Sequence, residues 1–428
     1  MAEPVASNGI PATCASEQEA CVEGRADALR ERRLFVVAGE HSGDALGAKL
    51  MAALNARADL ADMPIRYLGV GGESMAAQGL ASLFPLADVT VMGPLSILPR
   101  LPKIVRRVYQ VVDAAVAAKP DCVVIIDSPE FTHPIAKRIR KRCPNIPIID
   151  YVSPSVWAWR PGRAGRMRAY VDHVMALLPF EPAAHERLGG PPCSYVGHPM
   201  IERYDWIKAQ DGAALGRRLG LSGRCPVVVV LPGSRGSEVS RMMEPFGQTL
   251  GLMRARGHDV DVILPVVESV RPLVEAGLES WPVKPHLVAG DADKFAAFGL
   301  ASAALAASGT VTLELGLSGT PMVVAYKVDA VAARLRFLLK VHSVVLANLV
   351  LGDNAFPEYL QEACTPEHLA DALLPLISDT PERRTQLAAL QRIPQRLLLD
   401  HSSPSEAAAG IVWQIVCNES IQPHAKET

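Results

Sequence analysis

The segment from Ser308 to Glu314 combines small hydroxyl residues, a glycine and an acid, directly after the apolar run 303–307. We predict a buried strand followed by a helix that Ser308, Gly309 and Thr310 open. The first N–H groups of a helix lack intrahelical partners and carry partial positive charge, which suits a diphosphate. Glu314 lies one helical turn after Thr310, where its carboxylate suits a sugar diol. The alternative is an ordinary capped helix behind a core strand.

A second loop of this kind follows the apolar run 226–231 and reads Gly233-Ser234-Arg235-Gly236. Its small residues suit a backbone nest for anions, and Arg235 adds a guanidinium fork for phosphate. The loop lacks the Gly-Lys-Ser/Thr of a Walker motif. Asn348, in an apolar neighbourhood, is either a third site residue or a buried structural amide.

The first half of the chain places acids where strands end. Asp127 follows the apolar run 122–126, and Glu40 and Asp44 follow the run 34–38. Ligands of open parallel sheets bind at the carboxyl ends of strands, and apolar neighbours raise the pKa of an acid, as a general base needs. The alternatives are a turn-forming Asp127 and a helix-capping Asp44; Glu40 has no such structural alternative.

The loop 151–160 carries Trp157 and Trp159, two of the five tryptophans in the chain. Two indoles in one loop are costly to leave in water, so we predict that they line a groove for a sugar or an acyl chain. Arg160 and the arginines after it suit phosphate.

Basic and apolar residues alternate between 91 and 112, interrupted by three prolines. This pattern favours a segment that meets an anionic membrane surface. The alternative is an amphipathic helix with its apolar stripe on the core. The residues predicted to face the membrane are Leu95, Ile97, Leu98, Arg100, Lys103, Arg106 and Arg107.

Length and composition exclude several classes of protein. The 428 residues favour two domains, and a net charge of −2 argues against a generally basic nucleic-acid binder. The eight cysteines form no Cys-x-x-Cys pair, and Asp291-x-Asp293 is better explained as a helix cap than as a metal site. We therefore expect a cytoplasmic protein with no metal at Asp291 and Asp293. Residues 1–31 lack the apolar core of a signal peptide and are expected to be a disordered extension.

Each half of the chain repeats strand, glycine-bearing loop and helix. We predict an α/β protein with two Rossmann-like domains, whose parallel sheets face an interdomain cleft. The predicted domains are 32–200, for an acceptor at the membrane, and 201–385, for a nucleotide diphosphate. The tail 386–428 is expected to pack back on the first domain or on the second subunit of a homodimer. Together these features favour a glycosyltransferase.

The sequence closely resembles the lipid-A-disaccharide synthase family, whose members have the GT-B type of this fold. Five motifs in order, between about residues 34 and 374, carry the resemblance, and the run Tyr-Val-Ser-Pro-Ser-Val-Trp-Ala-Trp-Arg is highly specific. The motifs are Ala38-Gly39-Glu40-x-Ser42-Gly43-Asp44, Ile126-Asp127-x-Pro129-x-Phe131, Tyr151 to Arg160, Leu231-Pro232-Gly233-Ser234-Arg235-Gly236-x-Glu238-Val239 and Ser308-Gly309-Thr310-x-x-Leu313-Glu314.

The resemblance implies transfer of 2,3-diacylglucosamine from UDP to 2,3-diacylglucosamine 1-phosphate. It also implies a β-1,6 linkage formed with inversion, no metal, and peripheral binding to the cytoplasmic face of the inner membrane. Asp127 is the expected base, with Glu40 orienting the acceptor or serving as the base instead. The expected donor site is Gly233, Ser234, Arg235, Glu238, Ser308, Gly309, Thr310, Glu314 and Asn348, and the expected acceptor site is Ser42, Asp44, Ser153, Ser155, Trp157 and Arg160.

Two other classes fit parts of the pattern. A UDP-sugar epimerase of the same fold would share the nucleotide site without needing the basic and apolar segment. A non-catalytic lipid carrier would need that segment but neither Arg235 nor Glu314.

Overall fold

The computed structural model describes residues 30–90, 100–329, 334 and 341–417. The chain forms two compact units, and it leaves the first for the second after Pro154, within the tryptophan loop. The first unit comprises Met1–Pro154, Met167–Met175 and Ser405–Thr428, and the second comprises Ser155–Arg166 and Ala176–Pro404. Most of the predicted extension 1–31, and residues 418–428 of the tail, lie outside the described residues.

The first sheet has seven strands in the order β3-β2-β1-β4-β5-β6-β7. The pairs from β3 through to β6 are all parallel. Its strands are β1 (Arg32–Ala38), β2 (Ile65–Val70), β3 (Ala81–Ser82), β4 (Cys122–Ile126), β5 (Ile148–Tyr151), β6 (His173–Ala176) and β7 (Cys193–Tyr195).

The second sheet has six strands in the order β10-β9-β8-β11-β12-β13, and all its pairs are parallel. Its strands are β8 (Val227–Leu231), β9 (Asp261–Pro265), β10 (His286–Val288), β11 (Ala303–Ala307), β12 (Met322–Tyr326) and β13 (Glu358–Leu360).

Helices connect the strands. Among the described helices, none is both long enough and apolar enough to span a bilayer. They are α1 (His41–Ala61), α2 (Glu73–Ala76), α3 (Leu101–Ala118), α4 (Pro129–Arg142), α5 (Gly162–Met167), α6 (Glu181–Arg187), α7 (Tyr204–Lys208), α8 (Gly212–Arg218), α9 (Gly236–Ala255), α10 (Arg271–Leu278), α11 (Asp291–Leu300), α12 (Val311–Ser318), α13 (Leu346–Leu351), α14 (Pro366–Leu373), α15 (Pro381–Leu397) and α16 (Pro404–Val416).

The central strands are apolar on both faces because helices cover both sides of a parallel sheet. Every residue of β4, β8 and β11 is buried. In the second unit the odd and even residues of β8 enter two separate cores, one containing Val229 and the other Val230. Continuous apolar runs in the sequence therefore indicated the central strands correctly.

Helix α1 begins at His41, so Asp44 lies inside the helix and not at the cap position before it. Ser42, Gly43 and Asp44 form its first turn instead of a loop. An acid is favourable in the first turn of a helix, so these residues do not delay the start.

Two glycines of the first unit adopt positive φ, and they differ in the space around them. Gly69, in β2, has φ +132°, and a Cβ there would lie 1.9 Å from the carbonyl oxygen of Val36 in β1. Gly79 has φ +100°, and a Cβ there would have no atom within 4 Å. Only at Gly69 does a side chain collide with a neighbouring strand.

We predict that Gly69→Ala lowers the free energy of unfolding by about 3 kcal/mol or more, because steric overlap adds to backbone strain. The matched variant Gly79→Ala should cost only the strain, about 1–2 kcal/mol. Urea unfolding of both variants measures the difference. Equal losses would show that the contact with Val36 is unimportant.

Candidate functional site

Each sheet has one point at which the strand order reverses, between β1 and β4 in the first and between β8 and β11 in the second. At such a point the two neighbouring loops leave in opposite directions and open a crevice at the carboxyl ends of the strands. Glu40 follows β1, and Asp127 follows β4; Arg235 follows β8, and Ser308 follows β11. The strongest sequence candidates therefore lie at these two points.

Glu40 and Asp127 form a pair of carboxyl groups joined by a side-chain hydrogen bond. The registered pair Ala38 and Ile126 brings the two loops side by side. Their approach requires Gly39, because a Cβ there would lie 2.5 Å from the Cβ of Ser128. Asp127 itself has φ +51°, in the left-handed region. This strained backbone is characteristic of functional sites.

Burial, the hydrogen bond that protonated Asp127 shares with Glu40, and the negative charges of Glu40 and Asp150 raise the pKa of Asp127 to about 6. The backbone N–H of Ser128, 2.7 Å from Asp127 Oδ1, opposes this shift. Two carboxylates in contact cannot both ionise easily, so the pair holds a proton to higher pH than an ordinary aspartate. A pKa near 6 suits a general base that works near neutral pH.

Asp150, whose charge acts on Asp127, is itself buried and paired. His133 Nε2 lies 3.2 Å from Asp150 Oδ2, and His133 Nδ1 lies 3.0 Å from the hydroxyl of Tyr170. Sequence reasoning missed this cluster because its members come from α4, β5 and the segment before β6. Only the fold brings them together.

Of the other acids and hydroxyls predicted in this unit, Ser42 lies at the acid pair, where its hydroxyl donates to Glu40 at 2.8 Å. Asp44 is almost fully buried, at 3% exposure. Its carboxylate accepts from the backbone N–H groups of Gly72, Ser74 and Met75, at 2.7–3.1 Å. Asp44 therefore caps the start of α2. The alternative from the sequence, in which Asp44 caps α1, is wrong.

The tryptophan loop contributes structural contacts and one exposed cation. The Trp157 indole donates to Glu181 at 3.0 Å and meets the Phe180 ring edge-on, and its side chain is half-buried. Ser153 is buried, whereas Ser155 is exposed and its carbonyl accepts from Ala158 and Trp159. Arg160 is exposed and stacks its guanidinium on Trp159.

The second unit contains a cavity of about 620 Å³ at its switch point. Every residue predicted to bind the donor lines this cavity, except Asn348. They are Gly233, Ser234, Arg235, Glu238, Ser308, Gly309, Thr310 and Glu314. The structure thus brings together two loops that are separated by about 70 residues of sequence.

The Arg235 loop is held by Glu238, which is buried at 7% exposure. The carboxylate of Glu238 accepts from the backbone N–H groups of Ser234 and Arg235, at 3.1 and 3.3 Å. These are the amides we expected to bind an anion, and in this structure their partner is Glu238. The Arg235 side chain also contacts Glu238, at 3.1 Å, but remains 77% exposed. Its guanidinium is therefore open to the cavity, which it lines together with the exposed Ser234.

The start of α12 is the second segment that we predicted to bind an anion. The Ser308 N–H donates to Ala325, and Thr312 is the first residue whose N–H bonds back, to Gly309. The N–H groups of residues 309–311, which lie between Ser308 and Thr312, therefore have no intrahelical partners. Gly309 has φ +157° and no atom within 4 Å of a Cβ position, so the cavity reaches the backbone here.

Asn348 is fully buried. Its side-chain NH₂ donates to the carbonyl of Phe356 at 2.9 Å and to the hydroxyl of Ser343 at 3.2 Å, and its side-chain oxygen accepts from the N–H of Phe356 at 3.0 Å. These contacts favour the buried structural amide over the site residue. They hold α13 against the segment that leads to β13.

The cavity also contains a residue that sequence reasoning missed. Lys294, in the first turn of α11, lies 3.0 Å from Glu314 and 3.3 Å from Asp291. Its signal in the sequence was an isolated lysine after Asp291-x-Asp293, which we interpreted only as a cap. Both acids do lie in the first turn of α11, and across the described ranges no cluster of three or more possible metal ligands occurs.

The basic face of α3 is less free than its sequence suggested. Lys103 and Arg107 both bind Asp88, and Arg107 also stacks on Phe84. Arg100 and Arg106 are exposed, whereas Leu95, Ile97 and Leu98 lie outside the described residues. Leu101, Val105 and Tyr109 form an exposed apolar row on the same helix, each 44–50% exposed.

Two parallel sheets with sites at their switch points define a GT-B type fold, which glycosyltransferases and UDP-sugar epimerases share. MurG from Acinetobacter baumannii superposes with a TM-score of 0.53 at 12% identity, covering 90% of this chain and 99% of that chain. UDP-GlcNAc 2-epimerase from Neisseria meningitidis, solved with UDP-GlcNAc bound, gives 0.57 at 13% identity, covering 90% and 100%. At such identities these likenesses establish the fold alone.

The family model for lipid-A-disaccharide synthetase matches residues 34–412. Lipid-A-disaccharide synthase of Rhodopseudomonas palustris strain HaA2 is 51% identical over 386 residues, 90% of this chain and 96% of that protein. The Rhodospirillum centenum protein of the same name is 41% identical over 396 residues, 92% and 97% of the two chains. The chain belongs to the lipid-A-disaccharide synthase family, and it is therefore a glycosyltransferase.

The raised pKa of Asp127 makes the free energy of unfolding depend on pH. A carboxyl group whose pKa is higher in the folded state leaves the free energy of unfolding unchanged below about pH 4, because it is protonated in both the folded and the unfolded state. Above about pH 6 it lowers the free energy of unfolding by its full amount. We predict that Asp127→Asn raises the free energy of unfolding by about 1–3 kcal/mol at pH 8. At pH 4 it should leave that free energy nearly unchanged.

Urea unfolding at the two pH values tests this prediction. The exposed Asp59→Asn variant is the control and should change stability equally at both. A stabilisation by Asp127→Asn that is the same at pH 4 and pH 8 would contradict a raised pKa.

Proposed function

We propose that this enzyme transfers 2,3-diacylglucosamine from its UDP derivative to the 6-hydroxyl of 2,3-diacylglucosamine 1-phosphate. The products are UDP and the β-1,6-linked lipid A disaccharide 1-phosphate, formed with inversion. The family match over residues 34–412 carries the proposal. The reaction needs a base for the acceptor and stabilisation of the departing diphosphate.

The second unit holds the donor in its 620 Å³ cavity. The N–H groups at the start of α12 and the exposed guanidinium of Arg235 meet the diphosphate, and Glu314 meets the ribose diol. Negative charge grows on the diphosphate as the glycosidic bond breaks, so these donors stabilise the transition state. They supply the positive charge that the reaction requires, and we expect no dependence on added metal.

The first unit supplies the base. Asp127 in its ionised form takes the proton of the acceptor 6-hydroxyl as that oxygen attacks the anomeric carbon from the face opposite the diphosphate. The contact with Glu40 keeps Asp127 oriented, and the Ser42 hydroxyl, which donates to Glu40, orients Glu40 in turn. A raised pKa makes Asp127 a stronger base than an exposed aspartate.

We predict that purified enzyme with UDP-diacylglucosamine releases UDP only when diacylglucosamine 1-phosphate is present. Asp127→Asn should lower the rate by about 10²–10⁴-fold, because general-base catalysis contributes that much. Its affinity for UDP should stay within about twofold, since Asp127 belongs to the other unit. Chromatographic measurement of UDP and disaccharide, with calorimetry for UDP, checks both statements.

The control for this experiment is Glu130→Gln, which removes a neighbouring exposed acid from the start of α4 and should retain near-normal turnover. An Asp127→Asn enzyme as active as this control would remove Asp127 from the base role. The fold shared with UDP-GlcNAc 2-epimerase makes a UDP-sugar epimerase the second candidate. UDP release or an epimerised sugar without any acceptor would favour that candidate.

We also propose that α3 brings the enzyme to the cytoplasmic face of the inner membrane, where the lipid substrates reside. Leu101, Val105 and Tyr109 recur every four residues, so they lie on one face of the helix. Exposed Arg106 adds charge that attracts anionic lipid, worth roughly 1 kcal/mol near the surface. Arg107 and Lys103 contribute less, because Asp88 already pairs with both.

We predict that Val105→Asp with Arg106→Glu lowers binding to phosphatidylglycerol vesicles at least about tenfold, because two contacts with lipid become repulsive. Vesicle sedimentation at several salt concentrations measures the effect. Leu60→Asp changes an exposed leucine of α1, at 90% exposure, and is the control that should bind normally. Equal binding by both variants would refute a role for α3.

A further inference from the structure

Lys294 is held inside the donor cavity by three contacts. Its ammonium lies 3.0 Å from Glu314 Oε1, 3.3 Å from Asp291 Oδ1 and 4.5 Å from the centre of the Phe295 ring. The Phe295 ring is buried at 2% exposure, and it therefore offers a fixed surface for the ammonium. The Lys294 side chain is 23% exposed, so it is much less mobile than a surface lysine.

These contacts belong to a row of alternating charges that runs from the surface into the cavity. Arg203, outside the cavity, binds Asp291 at 2.9 Å and stacks on Trp206. Asp291 binds Lys294, and Lys294 binds Glu314. The row fixes Lys294 from one side, because Asp291 is itself held by an arginine. Consequently, the position of Glu314 is set by residues from α11 and beyond as well as by its own helix.

The cavity needs a cation at this point. In the part of the chain that the structure describes, its lining contains the acids Glu238, Glu268, Asp291 and Glu314, but only two basic residues, Arg235 and Lys294. Glu238 is paired with Arg235, and Glu268 with Arg271. Among the described residues, Lys294 is the cation within ion-pair distance of Glu314. Without it, two carboxylates would face each other near the place of an incoming diphosphate.

The contact also divides the two oxygens of Glu314 between two tasks. Oε1 accepts from Lys294, whereas Oε2 has no hydrogen-bond partner among the residues that the structure describes. Glu314 is only 18% exposed and lines the cavity, so Oε2 is the oxygen left for a ligand. A carboxylate held at one oxygen presents the other in a fixed direction, which reduces the entropy lost on binding.

We propose that Lys294 is a positioning residue that holds Glu314 for recognition of the ribose hydroxyls of a uridine diphosphate. This inference rests on the proposed function, since it takes Glu314 as the ribose contact. It assigns Lys294 to the ribose through Glu314 and not to the diphosphate. The two assignments predict different effects of a Lys294 variant. A role at the ribose changes the preference for UDP over 2′-deoxy-UDP, whereas a role at the diphosphate changes the preference for UDP over UMP.

The test compares UDP with 2′-deoxy-UDP, which lacks one of the hydroxyls. Wild-type enzyme should bind UDP roughly 10- to 100-fold more tightly, because a hydrogen bond to a charged group is lost with the hydroxyl. Lys294→Met should reduce this preference to less than about threefold, because Glu314 then turns away. Isothermal titration calorimetry gives the dissociation constants for both ligands.

Three variants separate positioning from general damage to the fold. Lys294→Arg keeps the cation and should restore most of the preference for UDP. Lys284→Met removes an exposed lysine outside the cavity and should keep all of it. Glu314→Gln should lose the preference, and adding Lys294→Met to it should cause no further loss if Lys294 acts through Glu314.

Each remaining outcome overturns the inference in a recognisable way. A Lys294→Met enzyme that keeps the full preference for UDP over 2′-deoxy-UDP, but binds UDP weakly relative to UMP, would assign Lys294 to the diphosphate. Wild-type enzyme that binds UDP with no preference for the hydroxyl would remove the ribose role of Glu314 but leave the transfer reaction intact. Wild-type enzyme that binds no UDP would overturn the proposed function as well.

Discussion

Parallel pairing of strands is the constraint on which the rest of this structure depends. Because every registered pair in both sheets is parallel, the loops at the carboxyl ends of the strands emerge along one edge. The reversal of strand order then opens one crevice in each sheet. Residues as distant as Glu40 and Asp127, or Arg235 and Ser308, become neighbours for this reason.

The polar residues near these crevices fall into two groups. Asp44, Glu238 and Asn348 are buried, and their hydrogen bonds to backbone groups hold loops and short helices in place. Arg235 and Glu314 keep part of their side chains open to the cavity, and the Glu40–Asp127 pair lies at the first switch point. A buried polar group must be satisfied by the protein, whereas a group that binds a ligand must keep a bonding position free. The first group therefore builds the loops on which the second depends.

The same distinction applies to charge. The sequence shows a run of basic residues near α3, yet Asp88 binds two of them and Phe84 stacks on one. The exposed charge of that face is smaller than the count of basic residues suggests. In the cavity of the second unit it is negative charge that is reduced, because several acids there are paired with arginines. Net charge at a site is decided by such pairing, which long side chains from distant segments provide.

The sequence alone determined the fold class, the strands that precede the switch-point loops and several residues that line the cavity of the second unit. It could do so because buried parallel strands are continuous apolar runs, and because glycine and hydroxyl residues directly after them have few other uses. Only the tertiary structure decided which candidates are open to a ligand. It assigned Asp44 and Glu238 to loop building, revealed the pair of His133 with Asp150, and brought Lys294 to Glu314. The physical reason is that a hydrogen bond or an ion pair depends on distances of a few ångströms between segments far apart in sequence, and those distances exist only after the sheets have formed.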